Sequence, residues 1–152
     1  MNYYDDAVVL DGLAEHHRDP MTLVETRQAY GAELLLDLFG CDPRTIGSGE
    51  RIAAYAVELC DVIGMKRFGD PVVPYFGLAD PKTAGYSLVQ LIETSLVSAH
   101  FSTAWHDFAA VNVHSCMPFD VPRVVEFSVG FFGAARRSFQ VLARGVAPEP
   151  GR

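Results

Sequence analysis

The chain has 152 residues, 49% hydrophobic and 20% charged, and a formal net charge of −7 from 12 basic and 19 acidic residues; that length suits one domain with its own core, and that balance is globular rather than disordered. An acidic chain without a Lys/Arg run argues against nucleic acid or an anionic membrane as partner. No apolar run reaches membrane-spanning length, no basic-then-apolar start reads as a signal peptide, and three cysteines in no metal-like spacing fit a reducing cytoplasm.

Residues 1–29 read as an N-terminal extension. Ala7-Val8-Val9-Leu10 is a short apolar run. His16-His17 reads as a solvated pair rather than a metal site, because no Cys or acidic residue has ligand spacing to it. Asp19-Pro20 suits a turn, and residues 23–28 a short helix. Residues 32–39 read as a strand buried on both faces and ended by Asp42-Pro43. Ser48 is the expected N-cap of a helix in which Ile52, Tyr55, Ala56, Leu59, Val62 and Ile63 recur at helical spacing until Gly64. Cys60 sits inside it as a core thiol. Residues 65–84 are rich in Pro and Gly, with an irregular strand over Val72-Val73 and Tyr75-Phe76; Phe68, Tyr75 and Phe76 there suit the cover of a sheet edge.

Residues 85–116 organise the chain. Two apolar runs flank a polar break, Glu93-Thr94-Ser95; His100 lies five residues past Ser95, and a third run, residues 108–113, leads to Ser115-Cys116. Side chains alternate along a strand, so Ser95 and His100 do not face each other in a straight one. A kink at Thr94-Ser95 re-aims the hydroxyl, and a strained backbone there favours its attack on the preceding carbonyl. The chemistry expected is self-processing. Ser95 Oγ attacks the Thr94 carbonyl to give an ester. Loss of the residue 95 α-proton then expels the Thr94 carboxylate, leaving dehydroalanine, which hydrolyses to a pyruvoyl group. His100 is the expected base.

Further on, Asp120 caps a helix with Pro122 in its first turn. Val124, Val125, Phe127, Ser128, Phe131 and Phe132 form its apolar face, and Gly133 ends it. Residues 138–143 read as a last strand and 146–152 as a frayed tail. The order strand, helix, strands, helix, strand gives an α+β two-layer sandwich, an antiparallel sheet with two helices on one face.

The motif Gly85-x-Ser87, Ser95, His100 resembles that of the bacterial S-adenosylmethionine decarboxylase proenzymes, without a gap from Gly85 to His100. Ala109-Ala110-Val111-Asn112-Val113-His114-Ser115-Cys116 resembles the family's Ala-Ala-(Val/Ile)-Asp-(Val/Leu)-Phe-Thr-Cys, and residues 34–42 its first strand with the Cys-Asp after it. The likeness spans about residues 30–145 and is similar to the family's β-α-β-β build. It implies that Ser95 becomes the pyruvoyl group by cleavage after Thr94, that Ser87 and His100 assist, and that Cys116 returns a proton to the substrate carbon. It also implies a homodimer with sites at or near the subunit interface, and places Phe68, Tyr75 and Phe76 where the family's aromatics contact substrate. The pyruvoyl group is expected to condense with the substrate amine and draw electrons as carbon dioxide leaves. Departures are Thr94 for the family's Glu, Leu96 for the His after the processing Ser, one extra residue between His100 and Cys116, Trp105-His106-Asp107 for Thr-Trp-Pro-Glu, and Gly31-Ala32-Glu33 for Gly-x-His.

Three readings follow. The first is a pyruvoyl-dependent decarboxylase, with S-adenosylmethionine the default substrate and ornithine or arginine as alternatives; Glu33, Glu93 or Asp107 would pair with the positive charge of any of these. The second is an unprocessed, non-catalytic relative that binds a ligand or a partner subunit. The third is a thiol enzyme using Cys116 with His100 or with His114, which would share a face with Cys116 if the strand continues.

Overall fold

Side-chain caps set the helix ends. The structure, a computed structural model, describes residues 18–147. Helix α1 (Pro20–Glu25) starts at the Asp19 cap, three residues before the helix expected at 23–28, because Pro20 suits the first turn. Strand β1 (Ala29–Phe39) follows, then a one-turn helix α2 (Pro43–Ile46) capped by Asp42. In α3 (Gly49–Ile63), the Ser48 hydroxyl accepts the Arg51 N–H at 3.3 Å, and Gly64 closes the helix at φ 68°. Strands β2 (Arg67–Val72) and β3 (Tyr75–Phe76) occupy the Pro/Gly-rich stretch, with a bulge between Phe68 and Val72. Then come β4 (Gly85–Ile92), β5 (Ser95–Ser102) and β6 (Phe108–Ser115). Helix α4 (Val121–Phe132) has the expected Asp120 cap, which accepts the Arg123 N–H at 3.1 Å, and the expected Gly133 stop at φ 62°. The last strand, β7 (Arg136–Val146), is longer at both ends than the expected 138–143, because it pairs with nearly all of β1; Val146 meets Ala29 rather than fraying. His16-His17, residues 7–10 and residues 148–152 lie outside the described residues.

Every strand pairing is antiparallel, in the order β2-β4-β5-β6-β1-β7, with β3 also on β4. This is the expected α+β sandwich. One face of the sheet carries Leu34, Leu36, Leu38, Val97, Phe101, Val111 and Val113, all buried against Ile52, Tyr55 and Leu59 of α3 and Val124, Val125 and Phe132 of α4. Each such side chain contributes about 1.5–3 kcal/mol by leaving water. The Tyr55 and Phe132 rings (4.5 Å) and the Phe101 and Phe132 rings (5.2 Å) tie the layers together.

The other face differs from expectation at β1, where burial on both sides was anticipated. Leu34, Leu36 and Leu38 are buried, but Leu35 is half-buried and Asp37 exposed. The long helices α3 and α4 pack on the opposite face. Strand alternation lines up cross-strand rows on this open face. One row is Ser87, His100, Ala110, Asp37 and Ser138; the next is Val89, Ser98, Asn112, Leu35 and Gln140; the third is Phe68, Leu91, Leu96, His114, Glu33 and Leu142. No helix among the described residues is long and apolar enough to cross a membrane.

Candidate active site

The β4–β5 hairpin turns on two residues, Glu93 and Thr94, with Ile92 paired to Ser95. Two-residue hairpins favour turns with positive φ, whose twist matches that of the strands. Neither Glu93 nor Thr94 has positive φ; the mismatch falls on Ser95, at φ 152°. Around the N–Cα axis an L residue's Cβ lies about 120° from its carbonyl carbon, so Ser95 Cβ sits about 30° from the Thr94 carbonyl carbon instead of the ordinary strand value of about 100–120°. The base of the side chain is thereby turned back toward the Thr94 carbonyl. This is the kink expected at Thr94-Ser95.

Four contacts surround that peptide. The Thr94 carbonyl oxygen accepts the Cys116 N–H at 2.9 Å. Ser95 Oγ lies 2.7 Å from His114 Nδ1. The Thr94 hydroxyl is held by the Ser115 hydroxyl at 3.0 Å and reaches Met65 Sδ at 3.4 Å. A donor on the carbonyl oxygen, a nitrogen base on the hydroxyl and a folded-back side chain are what an N-to-O acyl shift requires.

A second Ser–His pair lies on the open face. Ser87 and His100 are directly opposite across β4 and β5, with Ser87 Oγ 2.7 Å from His100 Nδ1. The Phe76 ring stands 6.0 Å from the His100 ring. The motif's Gly85 has a steric basis, since a Cβ there would overlap the Phe101 carbonyl oxygen. His100 is five residues along β5 from Ser95, about 16 Å at about 3.3 Å per residue. Within one chain, then, Ser87 and His100 meet each other and not Ser95.

Cys116 is half-buried, immediately past β6, and its backbone touches Thr94. Cys41 and Cys60 are buried, and that burial pushes each thiol up to about 11. The strand on which His114 and Cys116 were expected to share a face ends at Ser115, and the His114 imidazole turns to Ser95. Among the candidate acids, Glu33 is ion-paired with Arg144, and Glu93 lies 3.7 Å from Lys66 on the rim. Asp107 sits in the β5–β6 turn at φ 48°, at the far end of β5 from Ser95. Phe68, Tyr75 and Phe76 are all exposed, Tyr75 edge-on to Tyr86 at 4.9 Å.

The residue that sequence reasoning did not assign to Ser95 is His114. The two-residue turn fixes the β4–β5 register and so makes the Ser87–His100 pairing readable. The β5–β6 connection, residues 103–107, follows no short-turn rule, and its register sets Leu96 opposite His114.

The description S-adenosylmethionine decarboxylase belongs to a family whose model matches residues 32–145. No curated protein matches the chain. Among solved structures, the adenosylmethionine decarboxylase from Aquifex aeolicus VF5 is similar, with a TM-score of 0.66 and 23% identity over 82% of this chain and 98% of that one. That likeness carries the fold; the family match, over most of the chain and including Ser87, Ser95, His100 and Cys116, carries membership. The chain belongs to the S-adenosylmethionine decarboxylase family.

Proposed function

We propose that the chain is a self-processing, pyruvoyl-dependent decarboxylase acting on S-adenosylmethionine, and that it cuts itself between Thr94 and Ser95. The observation that carries this reading is the Ser95 backbone. At φ 152° a non-glycine residue is held in a conformation that costs about 1–3 kcal/mol, and the distortion turns Cβ, which carries the hydroxyl, toward the preceding carbonyl.

In the first step the Ser95 hydroxyl adds to the Thr94 carbonyl carbon, whose oxygen is held by the Cys116 N–H. The C–N bond then breaks and the amine takes a proton, giving an ester with no net gain or loss of atoms. In the second step a base removes the residue 95 α-proton and the Thr94 carboxylate leaves with the C–O bond electrons. Dehydroalanine tautomerises to an imine, and water releases ammonia and leaves the pyruvoyl group at residue 95. That group supplies an electron sink for the decarboxylation of a bound amine.

His100, aligned by Ser87, is the proposed base of the second step. It lies about 16 Å from Ser95 of its own chain, so the reading requires a homodimer in which one copy's Ser87–His100 pair faces the other's residue 95. The sheet supports such a dimer. Its open face carries Leu35, Leu96 and Leu142 half-buried and Val89 and Leu91 exposed, and stacking two such faces gives a helix–sheet–sheet–helix sandwich. Cys116, beside the scissile carbonyl, holds the proton returned to the substrate carbon.

Exposed Phe76 next to His100 favours a substrate with a planar ring and a cation over ornithine or arginine, which lack the ring. Phe68 and Tyr75 supply further aromatic surface on the same margin of the sheet; of the three candidate carboxylates Glu93, on the rim beside Thr94, is the one offered to the charge, since Glu33 is already held by Arg144 and Asp107 lies at the far end of β5. Free Cys41, Cys60 and Cys116 accord with a reducing, cytoplasmic setting.

An intact-mass spectrum of purified protein tests the proposal. Two fragments are expected, split after Thr94, the C-terminal one lacking a free amine. A single full-length mass after long incubation would establish the unprocessed, non-catalytic reading instead.

A further inference from the structure

We infer that His114 is the base of the first processing step, taking the Ser95 hydroxyl proton within the same chain, and that the work commonly asked of one imidazole is divided here between His114 and His100. The inference rests on the self-processing reading above and adds a residue to it.

The geometry assigns the role. His114 Nδ1 is 2.7 Å from Ser95 Oγ, and it is the side chain that partners that hydroxyl. His114 lies at the centre of a cross-strand row, with Leu96 directly opposite on β5 and Glu33 directly opposite on β1. The Glu33 carboxylate is neutralised by Arg144, so the unit is a dyad rather than a triad. His114 Nε2 is buried and has no hydrogen-bond partner among the described residues. Among those residues the ring's hydrogen bonding thus goes through Nδ1, to the reacting hydroxyl.

The family pattern has an imidazole directly after the processing serine; here that position is Leu96, and the imidazole stands on the paired residue of the next strand. A strand's width separates the two sites, about 4.8 Å, so an imidazole at 114 reaches the same hydroxyl from the neighbouring strand.

The step balances. The Oγ proton passes to Nδ1 as the O–C bond to Thr94 forms, and charge gathers on the carbonyl oxygen facing the Cys116 N–H. The C–N bond then breaks, and the same proton passes from Nδ1 to the departing Ser95 nitrogen. His114 ends as it began, ready for no further role, because the α-proton belongs to the His100 of the facing copy.

The experiment follows cleavage of the full chain by intact mass in wild type, His114→Ala, His114→Asn, His114→Gly and His100→Ala, with a hydroxylamine challenge at each time point. Asn places a polar atom near the Nδ1 position but is not a base, so it separates proton transfer from simple hydrogen bonding. His114→Ala and His114→Asn are both expected to cleave about 10²–10⁴-fold more slowly than wild type, with the uncut chain as resistant to hydroxylamine as any peptide. His100→Ala is expected to accumulate a hydroxylamine-labile ester at the 94–95 junction. Imidazole added to His114→Gly is expected to restore cleavage, which an unfolded chain cannot do. Wild-type cleavage rates in His114→Asn or His114→Ala overturn the assignment while leaving self-processing intact. A wild-type chain that never cleaves overturns both.

Discussion

The strain at Ser95 is measurable without any catalysis. Ser95→Ala and Ser95→Gly both lack the nucleophile, so each is a homogeneous uncut chain, and both lose the contact to His114. They differ in whether residue 95 carries a Cβ against the Thr94 carbonyl. At an ordinary strand position glycine is worse than alanine by about 0.5–1 kcal/mol. At residue 95, glycine relieves about 1–3 kcal/mol of strain. Ser98, three residues on in β5 and without positive φ, gives the reference. Its Oγ meets Asn112 at 3.4 Å, a contact that both Ser98→Ala and Ser98→Gly remove. The Gly-minus-Ala difference should therefore swing by about 1–3 kcal/mol between the two positions, in favour of glycine at 95. In urea, with an m-value of about 2 kcal/mol/M, that is a shift of about 0.5–1.5 M in midpoint, read at one protein concentration. The same energy released along the acyl shift is about 5- to 150-fold in rate, since about 1.4 kcal/mol is tenfold. Equal Gly-minus-Ala differences at 95 and 98 would show that the Ser95 backbone stores nothing, and the pre-organisation reasoning would fail with it.

Co-expression tests the site shared between copies: Ser95→Ala with His100→Ala should yield some pyruvoyl-bearing His100→Ala chains, because a mixed dimer holds one complete set. No pyruvoyl product in the mixture, with dimers present, would place the second-step base within the chain. Iodoacetamide at neutral pH should label Cys116 before Cys41 or Cys60, whose thiolates form only as pH rises toward about 11; peptide masses that show all three labelled together in the folded protein would contradict the burial argument. Cys116→Ala keeps the backbone N–H that faces Thr94, so fragment masses should match wild type while turnover falls by about 10² or more. Wild-type turnover in that variant would take the thiol out of the chemistry.

Local signals decided what was legible from the sequence. The Ser48–Gly64 and Asp120–Gly133 helices carry their own stop and start residues, and their ends follow from capping alone. The one-turn helix at Pro43 was hidden because Asp42-Pro43 reads equally as a strand stop. β1 was misjudged because five of its residues, Leu34–Leu36, Leu38 and Phe39, are apolar on both parities, and only the missing second layer shows that one face is open. The Ser87–Ser95–His100 motif was visible as spacing, but spacing does not distinguish residues that meet within a chain from residues that serve one another across copies. His114 escaped because its meaning depends on the β5–β6 register, which the five-residue connection sets through packing rather than through a turn signature.

The strand order has a consequence for how such a molecule is born and lost. A cut after Thr94 would leave β1 to β4 on one peptide and β5 to β7 on the other. In the sheet these do not form two blocks: β1, from the first peptide, lies between β6 and β7, both from the second. The products would be interwoven, released from each other only by melting the whole sheet. Assembly must therefore precede scission, and the uncut chain alone would fold as a unimolecular event. Once melted, the mature protein would have to find its other half in solution, so its recovery would depend on concentration and would compete with the edge-to-edge pairing of exposed strands.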